Sequence, residues 1–259
     1  MTASRYDVIG VDYARLRKPD PRIAAMIHAA LGDARTVLNV GAGAGSYEPE
    51  EREVTALEPS AEMISQRPTS AARVVQGRAE QLPFADASFD ASMAVLTVHH
   101  WADAGQGLRE MRRVTRGPIV ILTYDPAFRG FWLADYIPEL VTLDEAQMPP
   151  MTMYEDVLGP VAVTAVPIPH DCADGFLCAY WRRPEAYLDR RITAAMSSFW
   201  AIGDVADALG RLDEDLRSGA WAAHYGQLMA LGALDCGYRL VTTRWDSGNT
   251  GLRGESAFP

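Results

Sequence analysis

Short apolar runs alternate with segments of helical period over residues 36–125, and this alternation constrains the chain more than any other feature. The runs are 36–40 (TVLNV), 53–57 (EVTAL), 73–76, 89–96 and 118–123 (PIVILT). Such runs are too uniformly apolar to have one face in water, so they read as strands covered on both faces. Between them, Ser60 is placed to cap a helix through Arg67, and 104–114 carries Leu108, Met111 and Val114 at helical spacing. A short helix is expected after Ser46 as well, and 21–31, opening on Pro21 and stopped by Gly32, predicts an N-terminal helix. Strand and helix alternating through short connections give an open, mostly parallel, doubly wound sheet.

Beyond Asp125 the pattern changes. Aromatic-rich helical pieces over 128–140 and 187–200 surround one strand at 161–168, and 237–244 (GYRLVTTR) reads as the last strand. The chain has 259 residues, 48% of them hydrophobic, and no Pro/Gly/Ser-rich linker divides it. That predicts a single domain: an N-terminal cap segment (1–35), a ligand-binding core (36–125), a lid or substrate region around one strand (126–230) and a last strand (237–245).

Composition excludes several partners. A formal net charge of −10 repels nucleic acid. Cys172, Cys178 and Cys236 have neither the even count of a disulfide framework nor the spacing of a zinc site. The adjacent His170, Asp171 and Cys172 cannot easily converge on one ion, so no metal is expected. No apolar run reaches the roughly 20 residues of a membrane span, and the N-terminus has no apolar signal core, which predicts a cytoplasmic protein.

The first strand ends on Gly41-Ala42-Gly43-Ala44-Gly45, at the place where such sheets bind ligands. Glycine there permits positive φ and leaves no Cβ to exclude a ligand. The second strand ends on Glu58, whose carboxylate can accept hydrogen bonds from both hydroxyls of a ribose. The loop reads G-x-G-x-G-S and not G-x-G-x-x-G, which disfavours an NAD-type oxidoreductase.

In these residues, and in the blocks VLNVGAGAG, LEPSAEM, GRAEQLPFADASFD, VLTVHHW, LREMRRV and IVILTYDP, the chain resembles the small-molecule class I methyltransferases that include ubiquinone and menaquinone biosynthesis enzymes. The resemblance implies a Rossmann-like sheet of seven strands, the last antiparallel, with a helical lid, and S-adenosylmethionine (SAM) as cofactor. By the same resemblance, Gly41, Ala42 and Gly43 carry the methionine moiety, Asn39 and Gly45 belong to the same cofactor site, and Glu58 holds the ribose. Pro59 and Met63 lie against adenine, Ala79 and Glu80 line its edge, and Val95 and Leu96 face its amino group. Tyr13 and Arg17 hold the carboxylate. Two positions depart from the family pattern. Asn39 stands where an aspartate is usual, and Arg78, which cannot accept a hydrogen bond, stands where an aspartate often meets adenine.

His99 and His100 follow the fourth strand and are the candidates to take a proton from the acceptor, or else to shape the pocket. The aromatic surplus beyond Pro126, with Phe131, Trp132, Tyr136 and Tyr180 foremost, predicts a roof over a small, largely apolar acceptor. The expected reaction is direct in-line methyl transfer to oxygen, nitrogen or carbon. A protein that binds SAM without transferring its methyl group is the alternative.

Overall fold

The computed structural model describes residues 17–68 and 72–244. Seven strands form its main sheet: β1 (Thr36–Val40), β2 (Glu53–Glu58), β3 (Arg73–Gln76), β4 (Ala91–Val95), β5 (Ile119–Tyr124), β6 (Val161–Ala165) and β7 (Tyr238–Thr243). Their spatial order is β3-β2-β1-β4-β5-β7-β6. The pairings among β1 to β5 are parallel, whereas β7 runs antiparallel to both β5 and β6. Order reverses between β1 and β4, and the carboxyl ends of the strands at such a switch point are where these sheets take ligands.

Side chains alternate across each strand, and the burial follows that period. Val37, Met93, Val120 and Leu122 face one side, against helix α1 (Pro21–Ala30) and the aromatic helices of the C-terminal half. Leu38, Val40, Ala94, Ile119 and Ile121 face the other, against α3 (Ala104–Val114) and the helix Met151–Leu158. The five-residue α2 (Ala61–Ser65) starts on Ser60, whose hydroxyl accepts from the Met63 N–H at 3.2 Å. Asp20 and Asp103 cap α1 and α3 in the same way.

After β5 come α4 (Leu133–Tyr136), α5 (Glu139–Gln147) and α6 (Met151–Leu158), then β6. Short helices α7 (Arg190–Thr193) and α8 (Ser197–Ala201), the longer α9 (Ala206–Ser218) and α10 (Ala220–Tyr225) precede β7. A two-stranded ribbon pairs Ile168–Pro169 with Ala233–Leu234. The strand read over 161–168 is thus broken after Ala165, its end turning into that ribbon.

The helix expected after Ser46 is absent, and turns occupy the segment before β2. Tyr47 has φ 66°, a left-handed value that stops a helix, and Pro49 follows. The strain at Tyr47 is held by its side chain, which is 2% exposed and donates from its hydroxyl to Asp174 Oδ2 at 2.8 Å. Asp174, itself 1% exposed, also takes Arg17 Nε at 2.5 Å. One buried carboxylate therefore ties the N-terminal segment and the loop after β1 to the C-terminal half.

Candidate functional site

The glycine loop is fastened to β2 by two bonds to a single carbonyl. The N–H groups of Gly41 and Ala42 donate to Leu57 O at 2.8 and 3.0 Å. Gly41, Gly43 and Gly45 all have positive φ, 70°, 52° and 96°. At Gly41 a Cβ would stand 2.1 Å from Thr97 Oγ1, so the loop after β4 closes on the loop after β1 only because that side chain is missing. At Gly43 a Cβ would meet only Met63 Cε, at 3.3 Å, and would otherwise fill open space over the loop. Glu58, 6% exposed, accepts from Gly43 N–H at 2.8 Å and from Ser60 N–H at 2.9 Å. A carboxylate has about four acceptor sites, so these bonds hold the loop while remaining compatible with a diol as a further donor.

Beneath the loop lies an ion pair that sequence reasoning missed. Arg67 Nη2 donates to both Glu48 oxygens, at 2.8 and 2.7 Å, and Nη1 to Gly43 O at 3.1 Å. The two side chains are 4% and 9% exposed. Asn39 Nδ2 completes the group by donating to Glu48 Oε1 at 3.0 Å, and its Oδ1 is buried with no hydrogen-bond partner among the described residues. The negative charge absent at Asn39 thus reappears on Glu48, though matched by Arg67. Both features suit a zwitterionic amino-acid group: an unpartnered buried acceptor for its ammonium, and a loop with no Cβ where it would rest. Glu48 and Arg67 lie in connecting segments without a motif, and Glu48 opens the charged stretch EPEERE, so nothing local marked them.

On the far side, the loop 77–84 is pinned to α3. Glu110 Oε2 accepts from Leu82 N–H at 2.9 Å, while Arg113 donates to Leu82 O and Phe84 O at 3.0 and 2.8 Å. Ala79 is buried, and Glu80 Oε1 accepts from Ala102 N–H at 2.7 Å. Pro59 and Arg78 are exposed, and Met63 is buried beside Gly43. Arg78 therefore offers no substitute for the missing aspartate. Tyr13 lies outside the described residues.

At the carboxyl end of β4, Leu96 has φ 52°, a sparsely populated value for a branched side chain, and its N–H is fixed on Leu122 O at 2.8 Å. A 3₁₀ turn, Val98–His100, follows. Leu96, His99 and His100 line a cavity of about 70 Å³, together with Arg17, Tyr124 and Asp144. Burial pushes the His99 imidazole well below its usual range, and the neighbouring His100 and Arg17 act in the same direction, so His99 is neutral. His100 is exposed, and the two rings stand 3.9 Å apart. Arg17 reaches this cavity from its bond to Asp174.

A second cavity, about 200 Å³, shares Tyr124, Asp144 and Leu177 with the first and is otherwise bounded by residues such as Phe128, Phe131 and Leu140. Of the four roof candidates, only Phe131 lines either of these cavities. Trp132 is 3% exposed, donates from Nε1 to Trp181 O at 2.8 Å and packs edge-on against Trp221 and Tyr187. Tyr136 donates to Asp215 Oδ2 at 2.7 Å, and Tyr180 lies under the Arg183 guanidinium. Those three belong to the aromatic core, in which Trp132 and Tyr136 find partners for their polar tips inside the protein. Of the neighbouring candidates, Asp171 pairs with Arg22, and burial raises the Cys172 thiol to about 12.

The family model described as "Methyltransferase domain" matches residues 38–118. Among solved structures, a candidate methyltransferase from an antibiotic biosynthesis pathway of Anabaena variabilis is 33% identical, with a TM-score of 0.81, over 88% of this chain and 99% of that one. The uncharacterized methyltransferase YcgJ of Bacillus subtilis is 32% identical over 120 residues, 42% of this chain and 44% of that protein. A malonyl-[acyl-carrier protein] O-methyltransferase of Erwinia pyrifoliae is 41% identical over 95 residues, 34% of this chain and 36% of the relative. The chain thus spans less than half the length of these two curated relatives.

Proposed function

The chain belongs to the class I SAM-dependent methyltransferases, and from that premise we propose that it transfers a methyl group to a small, largely apolar acceptor by direct displacement. The observation that carries this reading is the cradle at Gly43, where a tight turn closed by Gly45 N–H on Ala42 O, the Glu58 carboxylate and the empty Cβ position leave room for a ligand. Gly41, Ala42, Gly43 and Gly45 hold the methionine part of SAM, with Asn39 Oδ1 as acceptor for its ammonium. Glu58 takes the ribose hydroxyls. Met63, Pro59, Ala79, Glu80, Val95 and Leu96 surround the adenine, and Arg17, with Tyr13, serves the carboxylate.

When bound, SAM supplies a methyl group on a sulfonium already activated for displacement, so the protein mainly has to align the acceptor and exclude water. The cavity bounded by Leu96, His99 and His100 is where these residues do so. His99, held neutral, adds no positive charge of its own beside the sulfonium, in a cavity that the Arg17 guanidinium already lines. His100, at the exposed rim, takes the proton released by an oxygen or nitrogen acceptor.

Incubation with methyl-labelled SAM and a library of apolar metabolites tests the reading. Label should pass to an acceptor with one S-adenosylhomocysteine (SAH) released per transfer. SAM bound without any transfer would leave only the binding protein. With the acceptor in hand, His100→Ala is expected to lower turnover by about 10²-fold and to remove a pH dependence near neutrality. An unchanged pH profile would reduce His100 to a wall of the pocket.

A further inference from the structure

Asp144 is the one acidic side chain that lines both cavities at the carboxyl end of the sheet. It stands on α5, between the cavity that holds the histidine pair and the apolar chamber of Phe128, Phe131 and Leu140. No hydrogen-bond donor among the described residues reaches its carboxylate. The cation whose charge acts on it, Arg129, is committed elsewhere: it is paired with Glu145 and donates to Pro126 O at 2.6 Å and Phe128 O at 2.9 Å. Other groups that face the cavities are Arg17, engaged by Asp174, His99 and His100 from the turn after β4, Tyr124 from β5, Tyr238 from β7 and Asp135, which accepts from the Tyr225 hydroxyl at 2.6 Å. A half-buried carboxylate without a protein donor, facing a chamber whose wall is apolar except at Arg129, Asp135 and the Tyr124 hydroxyl, is stabilised by a ligand that brings a donor to it.

We propose that Asp144 selects the acceptor: it receives the hydrogen bond of a hydroxyl or amine on a molecule whose apolar body fills the chamber beside Phe131. The inference rests on the methyltransferase reading and adds the acceptor's class. A protic head group, alcohol, phenol or amine, is accepted at the junction of the two cavities. A carboxylate head is refused, because it would bring a second negative charge against Asp144 where Arg129 is engaged by Glu145, and Arg17 by Asp174 and the carboxylate of the cofactor. Burial raises the Asp144 carboxyl to about 7, with Arg129 opposing, which makes the selection strongest above neutrality, where the group is ionised.

Three probes with one apolar body and different heads, 4-butylphenol, 4-butylaniline and 4-butylbenzoate, are to be titrated by calorimetry into the SAH-loaded protein at pH 8. The phenol and the aniline are expected to bind at least about tenfold more tightly than the benzoate, the discrimination of one hydrogen bond to a charged group. Asp144→Asn should narrow that ratio to within about threefold while leaving SAH affinity unchanged. In parallel, the carboxyl carbon resonance absent from Asp144→Asn should titrate with a midpoint near 7 in the wild-type SAH complex. Equal or tighter benzoate binding, no probe binding at all, a ranking that survives Asp144→Asn, or a midpoint in the ordinary carboxylate range would each overturn the proposal. Failure of the wild-type protein to bind SAH would instead strike at the methyltransferase reading itself.

Discussion

Glu48→Ala is expected to destabilise the fold by about 3 to 5 kcal/mol, the loss typical when one partner of a buried ion pair is removed. Arg67 is 4% exposed and its Nη2 has both Glu48 oxygens as acceptors, so the variant leaves a guanidinium in the interior with only Gly43 O to meet it. The cost is desolvation without compensation, and it falls on the underside of the glycine loop. Urea denaturation with an unchanged slope measures it. Replacing both members, Glu48→Met with Arg67→Met, should recover most of the loss, because two apolar chains of similar volume carry no unpaired charge. A single variant as stable as wild type would mean that water reaches Arg67. A double variant no better than the single would mean that the pair shapes the loop itself.

Glu58→Ala is expected to weaken SAM binding by at least about 1.5 to 3 kcal/mol, the range for hydrogen bonds to a charged acceptor. Two effects act together. The ribose loses its acceptor, and Gly43 N–H and Ser60 N–H lose theirs, so the loop that the cofactor rests on is released from the end of β2. Glu58→Gln separates the two, since it keeps one acceptor oxygen and the side chain's shape while losing the charge. The alanine variant should lose more affinity than the glutamine variant. SAM and an analogue without ribose hydroxyls should also differ by less in Glu58→Ala than in wild type. Equal weakening of both ligands would assign Glu58 to the loop alone.

The sheet was legible in the sequence because each inner strand is buried on both faces and its apolar run carries no competing period. Val37 and Leu38 go to opposite sides of the sheet, yet both must be apolar, and the run TVLNV shows it. The glycine loop and Glu58 were legible for a similar reason: a turn closed by Thr97 at 2.1 Å from a would-be Cβ tolerates only glycine, so the residue type reports the geometry. The turns between Ser46 and Glu53 were not legible. Tyr47 adopts a left-handed backbone because its hydroxyl is captured by Asp174, 127 positions away, and no local pattern encodes that partner.

The same limit explains the acceptor side. Phe131, Trp132, Tyr136 and Tyr180 share a composition, but only their tertiary neighbours separate Phe131, on a cavity wall, from Trp132, whose indole N–H is spent on Trp181 O. Asp144 looks like a solvent-facing residue in ELVTLDEAQ, a helix with no marked apolar face, and becomes notable only because both cavities end on it. Glu48, Arg67 and Asp144 are charged residues whose significance is their burial, which a sequence does not display.

The claim on which the whole account stands is that the loop Gly41–Gly45 is a seat for SAM. Calorimetric titration of SAH into wild-type protein and into Gly43→Val, with circular dichroism to establish that the variant is folded, tests it most directly. Valine at φ 52° costs about 1 to 3 kcal/mol of backbone strain, but its Cβ meets only the flexible end of Met63 at 3.3 Å. One SAH is expected to bind per wild-type chain, with no binding of NADH and loss of SAH binding in a folded Gly43→Val. A wild-type protein that ignores SAH, or a folded Gly43→Val that binds it as tightly as wild type, would contradict it.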